Sequence, residues 1–186
     1  MLLIALILFF SSCAKRNFFP DEDDPGLSRL TFYGYNIATN YINGVAYINP
    51  FRGSLRGNSL PTLTEIHTNN DFDTLRLSWR IERNDSIGYN APYKNISLLM
   101  PVSKNFGVRD FIAMSGKRFS SNTSSIVLNS NYPDTIAGLS NLYFIKITMD
   151  TNYLSFSGLF DGNIGDSIFI TKGRFDFKIE SDAVNF

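Results

Sequence analysis

The chain carries few residues suited to covalent or metal chemistry. Of its 186 residues one is cysteine, one histidine and one tryptophan. A lone thiol cannot close a disulfide within the chain. One thiol and one imidazole fall short of the ligand set of a zinc site. A Ser-His-Asp triad would have to be centred on His67, and no G-x-S-x-G elbow accompanies it. Two carboxylates facing one cleft would serve a glycosidase. Most acids of the chain's body occupy turn-like positions, however, and nothing in the spacing of Glu65 and Glu82 pairs them. We therefore assign no catalytic residue, no metal ligand and no cofactor. Charge of one sign is also missing: 17 Lys and Arg balance 17 Asp and Glu. That balance leaves no basic footprint for nucleic acid. The longest apolar run, residues 1–10, is about half the length of a membrane-spanning helix.

That run has the size of the apolar region of a secretory signal. Phe10-Ser11-Ser12-Cys13 follows it and resembles the lipobox of bacterial lipoproteins: an apolar residue, two small ones, then cysteine. The resemblance implies a signal peptide over 1–12, cleavage before Cys13, a diacylglycerol thioether on its sulfur and an acylated new amino terminus. Residues 13–28 then form the lipidated cysteine and an acidic tether. Pro20 and Pro25 discourage helix there, and Asp21, Glu22, Asp23 and Asp24 repel one another. These acids are either a solvated linker or, by similarity to some Bacteroidota lipoproteins, a signal for export to the cell surface. A membrane, reached through the lipid on Cys13, is the first expected partner. The expected location is the cell envelope at the outer membrane, with the periplasmic and surface faces both open.

Residues 29–186 read as one all-β domain. Phenylalanine and tyrosine are abundant, with 17 and 9 copies, a balance that favours strands. Leu75, Leu77, Trp79 and Ile81 alternate with Arg76, Ser78, Arg80 and Glu82, which marks a strand with one buried face. Phe175, Phe177 and Ile179 alternate with polar residues in the same way, as do Tyr143, Ile145, Ile147 and Met149. Asn43-Gly44 separates two β-rich runs and predicts a type I′ hairpin. Asp150-Thr151-Asn152, Asp161-Gly162-Asn163 and Lys172-Gly173 predict later turns, with Lys172-Gly173 a turn or bulge before the last strand. Strands at 141–149, 153–160, 166–171 and 174–180 would then form an antiparallel meander. One helical turn fits within 103–111. The sum is nine or ten strands. We expect an antiparallel β-sandwich, with a closed or partly open barrel as the alternative. Uneven strand lengths and the long connection near 50–60 favour the sandwich.

Three clusters invite a functional reading. Tyr33, Tyr35, Tyr41 and Tyr47 gather near the first hairpin and would suit a glycan platform, an apolar face with a hydroxyl, or else fill the core. Asp161, Asn163 and Asp166 offer oxygen ligands that calcium uses, or else form a hairpin turn. Asp-Ser/Thr-aliphatic triplets recur at Thr74, Ser86, Thr135 and Ser167. They are similar to the O-glycosylation sequon of exported Bacteroidota proteins, and a turn acid before a strand produces the same letters.

Two further segments carry a family resemblance. Thr31-Phe32-Tyr33-Gly34 precedes Ile42-Asn43-Gly44-Val45-Ala46-Tyr47. Leu154-Ser155-Phe156-Ser157-Gly158-Leu159-Phe160 leads through Gly165-Asp166 to Ile170-Thr171-Lys172-Gly173-Arg174-Phe175-Asp176. Together they resemble a Bacteroidota lipoprotein family of unknown function, with T-F-G and V-N-G segments at one end and G-D-x-x-x-I-T-x-G-R-F-D at the other. The resemblance implies an envelope lipoprotein with a β-sandwich-like domain and no assigned activity. The leading functional reading is non-enzymatic binding or assembly, with a glycan or an envelope protein as partner. A glycan-binding lipoprotein that assists polysaccharide capture is the second reading, and a hydrolase the third.

Overall fold

Long alternating segments become long strands here. The structure, a computed structural model, describes residues 20–49, 62–67, 73–86, 93–130 and 135–180. Among the described residues there are ten strands: β1 (Ile37–Ile42), β2 (Val45–Ile48), β3 (Thr62–His67), β4 (Asp73–Arg83), β5 (Tyr93–Val102), β6 (Arg118–Phe119), β7 (Ser125–Ser130), β8 (Thr135–Met149), β9 (Tyr153–Ile164) and β10 (Ile168–Glu180). One short helix, α1 (Val108–Ile112), lies where a helical turn was expected. Asn43 and Gly44 both take positive φ between β1 and β2, as the type I′ turn requires.

All pairings among the strands are antiparallel, in the order β2-β1-β10-β9-β8-β7-β5-β4, and a β2–β4 pairing closes the ring. The architecture is thus a closed eight-stranded barrel, the second of the two expected forms. β3 is an extra strand that pairs with the first half of β4, while β2 takes the end of the same edge. The uneven lengths that favoured a sandwich have this origin. β4, β8, β9 and β10 run for 11, 15, 12 and 13 residues, and strands that tilt around a barrel stagger past one another and share edges.

Two bulges bend the wall and reset its alternation. β10 carries an extra residue between Ile170 and Gly173 that both neighbours see, and Lys172 there has φ 51°. β8 carries one between Phe144 and Lys146. The second bulge corrects a sequence expectation. Tyr143 does not share a face with Ile147, because the extra residue switches the phase. The buried set is Leu142, Phe144 and Ile147. Asp161-Gly162-Asn163 also proves not to be a turn. It continues β9, and the reversal falls at Gly165–Ser167.

The barrel interior is filled by aromatic rings. Trp79 on β4 meets Phe160 edge-on at 5.3 Å and lies 5.5 Å from Phe177. Phe111 of α1 reaches in from one end, 5.4 Å from Phe144 and 5.5 Å from Phe156. Full burial of each such ring contributes about 2–3 kcal/mol, and each edge-to-face pair about 1 kcal/mol more. Space for the rings comes from glycine. A Cβ on Gly158 would stand 2.4 Å from the Tyr143 carbonyl oxygen and 2.6 Å from the Phe175 ring.

The N-terminal segment differs from the expected tether. From Pro20 it is packed against the outside of β1 and β10, and Leu27 is fully buried. Pro20 bridges Ser28, the Asp21 amide donates to the Leu27 carbonyl at 3.0 Å, and the Asn84 side-chain amide donates to the Gly26 carbonyl at 3.0 Å. The packed domain therefore includes residues 20–28. The physical reason is charge pairing across the sequence. Two of the acids that repel one another locally, Asp21 and Asp24, face Lys172 and Arg174 on β10, while Glu22 pairs with Arg29.

Candidate functional site

Outward-facing residues of β10 hold the N-terminal segment at two points. At the first, the Arg174 guanidinium, only 12% exposed, pairs with both Asp21 and Asp24 and donates to the Ser28 carbonyl at 3.0 Å. Lys172 adds a second ion pair to Asp24. The Arg174 bond and the Asp23 amide hold the Asp21 carboxyl below its ordinary value of 3.8. Lys172 lowers Asp24 most strongly; burial opposes it next, and Arg174 adds to the lowering. The Lys172 ammonium is raised in turn, chiefly by Asp24.

At the second point the Asp176 carboxylate, 2% exposed, accepts four hydrogen bonds. They come from the Thr31 hydroxyl and from the amides of Tyr33, Gly34 and Tyr35, the amides at 3.1, 2.9 and 3.2 Å. Gly34 can occupy this cradle because it has φ +71° and lacks a Cβ, which would fall 2.5 Å from the Lys178 Cβ. Charge-assisted bonds of this kind are about twice as strong as neutral ones.

Beside this clamp the outer wall forms an open trough of about 950 Å³. Its floor is set by cross-strand rows, Tyr143, Leu159 and Arg174 in one and Asn141 and Asp161 in the next; a third row, Leu139, Asn163 and Phe169, lies beyond them. The turn after β6, with Ser120 and Thr123, rises along one side, and Asp24 and Lys172 line the other. A further recess of about 530 Å³ shares Asn141, Asp161 and Lys172 and extends the trough to Leu139 and Phe169. The Arg118 guanidinium lies 4.2 Å from the Tyr143 ring centre. The Asn141 amide donates to Asp161 Oδ1 at 2.8 Å. Leu139, Leu159 and Phe169 are 53%, 39% and 52% exposed, so the trough mixes apolar faces, amides, hydroxyls and both signs of charge. No group of three or more His, Cys, Asp and Glu side chains placed to hold a metal ion occurs among the described residues.

The four tyrosines expected as a glycan platform do not form one surface. Tyr33 is 74% exposed, with its ring 5.7 Å from that of Tyr35. The Tyr41 hydroxyl donates to the Pro25 carbonyl at 2.8 Å. Tyr47 belongs to the buried core. Asp161 and Asn163 lie in β9, and the Asn163 side-chain amide donates to the Gly165 carbonyl at 3.3 Å, an arrangement that serves the hairpin. Of the sequon hydroxyls, Thr74 is half-buried in β4, Thr135 opens β8, and Ser167 is exposed in the β9–β10 turn. Ser86 ends a 3-10 turn after β4. His67 ends β3, in register with Asp73. Cys13 lies outside the described residues.

Asp161 and Asn163 drew attention in the sequence as a calcium or turn cluster, whereas Asn141, Tyr143, Leu159 and Phe169 did not stand out as a site because they sit on the polar side of the alternation. The available signal was Leu159 and Phe169, large apolar residues on strand faces otherwise given to polar ones. The chain matches no family model, no curated protein and no solved structure.

Proposed function

We propose that the protein is a lipoprotein of a bacterial cell envelope, anchored at the outer membrane through Cys13, and that its barrel binds a partner without transforming it. The observation that carries the binding reading is where the space lies. Aromatic rings occupy the barrel axis, while the outer wall carries a wide, shallow and chemically mixed trough. A surface of that kind suits an extended ligand held by many weak contacts.

The clamped N-terminal segment fits an anchor. Six residues, 14–19, lie between Cys13 and Pro20, the first described residue of the clamped segment. Fully extended, that link reaches about 25 Å, so a lipid on Cys13 would keep the wall and its trough near the bilayer. The resemblance to the Bacteroidota lipoprotein family also gains a physical sense. The T-F-G-like segment at Thr31–Gly34 and the G-R-F-D segment ending at Asp176 are two halves of one hydrogen-bonded cradle.

Labelling with palmitate in the native host tests the anchor. Label should enter the wild-type protein and be absent from Cys13→Ala, which should leave the membrane fraction. A mature protein that retains Met1 would overturn the reading.

A further inference from the structure

We infer that the trough is a binding site for a neutral, hydroxyl-rich chain, an extended oligosaccharide, with Tyr143 and Phe169 marking its two ends. The inference rests on the binding reading above and names the ligand class.

Charge balance argues for neutrality. The cations Lys172 and Arg174 are already matched by Asp24 and Asp21. Arg118 and Asp161 add one charge of each sign. A polyanion would meet Asp161 and Asp24, and a polycation would meet Arg118 and the clamp. A neutral polar chain meets neither penalty.

The group chemistry points the same way. Asp161 Oδ1 is held by Asn141, and Oδ2 has no protein partner among the described residues. A carboxylate fixed beside a carboxamide presents acceptors and a donor side by side, an arrangement suited to the paired hydroxyls of a sugar ring. Arg118, Ser120 and Thr123 supply further donors along one wall. The exposed Phe169 supplies an aromatic face for apolar sugar surface, and at the other end the Tyr143 ring, with Arg118 stacked on it, supplies its phenol hydroxyl and ring edge. Along β9 the rows of these two rings are marked by Leu159 and Asn163. Four residues of strand separate them by about 13 Å, the span of a short oligosaccharide and more than one sugar.

A peptide added as a strand is not accommodated on this floor. β8, β9 and β10 are hydrogen-bonded on both edges, and strand addition needs an open edge.

The test titrates the full-length protein in detergent, by calorimetry, with cellohexaose, xylohexaose, mannohexaose and maltohexaose, and with an oligogalacturonate as the charged comparison. At least one neutral hexaose should bind, and its affinity should fall tenfold or more in Asp161→Ala and in Tyr143→Ala. Phe169→Ser should weaken the hexaose while leaving the matching disaccharide unchanged. Circular dichroism confirms that each variant keeps its barrel. Failure of all four neutral hexaoses to bind overturns the inference, as does preference for the oligogalacturonate or equal binding by Asp161→Ala and Tyr143→Ala. If the oligogalacturonate binds and depends on Asp161, the trough remains a binding site and only the ligand class falls. Palmitate labelling of Cys13 reads the anchor independently of every saccharide result.

Discussion

The Gly34 amide donates to Asp176 Oδ1 at 2.9 Å across 142 positions of sequence. That bond and its three companions fasten the start of the domain to its last strand. Replacing Asp176 with alanine leaves three backbone amides without their acceptor at a site that is almost fully buried. Lost charge-assisted bonds of this kind cost roughly 2–4 kcal/mol in total. Urea unfolding of Asp176→Ala should show a midpoint shift of that size, and a protease should cut within 29–36 under conditions where the wild type resists. An unchanged midpoint would mean that the cradle does not hold the segment.

The acid clamp makes the same segment sensitive to low pH. Asp21 and Asp24 lie below 3.8 when paired with Arg174 and Lys172, so the packed form binds fewer protons than the released one. Their contribution is complete above the ordinary carboxylate value and drains away as pH falls below 3.8. Limited proteolysis in the 20–28 region should accelerate on acidification below about pH 4. In Arg174→Gln it should be fast already at pH 7, with little further change on acidification.

Gly158 and Gly165 should respond very differently to alanine. At Gly158 the added methyl meets the Tyr143 carbonyl oxygen and the Phe175 ring, and overpacking against backbone costs about 2–3 kcal/mol or more. At Gly165 there is open space and φ +56°, so the cost is conformational and about 1 kcal/mol. Thermal unfolding of the two variants should rank Gly158→Ala well below Gly165→Ala.

These particulars show what sequence could and could not convey. The alternations of β4 and β10, the Asn43-Gly44 turn and the Lys172-Gly173 bulge are local, and each was visible in a few neighbouring letters. The β8 bulge was not, because its extra residue is defined only against β9. Gly162 read as a turn residue because glycine serves two purposes. Here it admits the close approach of Leu139, whose carbonyl oxygen would stand 2.6 Å from a Cβ. The acidic block read as a solvated tether because its partners lie about 150 positions away. The trough was hidden for the same reason, since Asn141 and Asp161 become neighbours only through strand register. Barrel and sandwich share their strands, and the closing β2–β4 contact involves just two residue pairs.

Placement also separates the sequon hydroxyls. Ser167 is exposed at a hairpin tip, whereas Thr74 is half-buried in β4 between β3 and β5. An enzyme that glycosylates folded protein can reach the first and not the second. Intact-mass analysis of host-purified protein should show any glycan lost in Ser167→Ala and retained in Thr74→Ala. A glycan lost in Thr74→Ala and retained in Ser167→Ala would contradict this order.

The position of β10 governs when the chain can finish folding. It lies between β1 and β9, and it carries Arg174 and Asp176, so both the seam of the barrel and the seat of the N-terminal segment wait for β10 itself. A chain cut short before Ile168 has no docking place for its first hairpin, and a nascent chain stays open until β10 has been made. Long-range closure of this kind is slow compared with local pairing, so the polypeptide stays threadable until β1 and β10 meet.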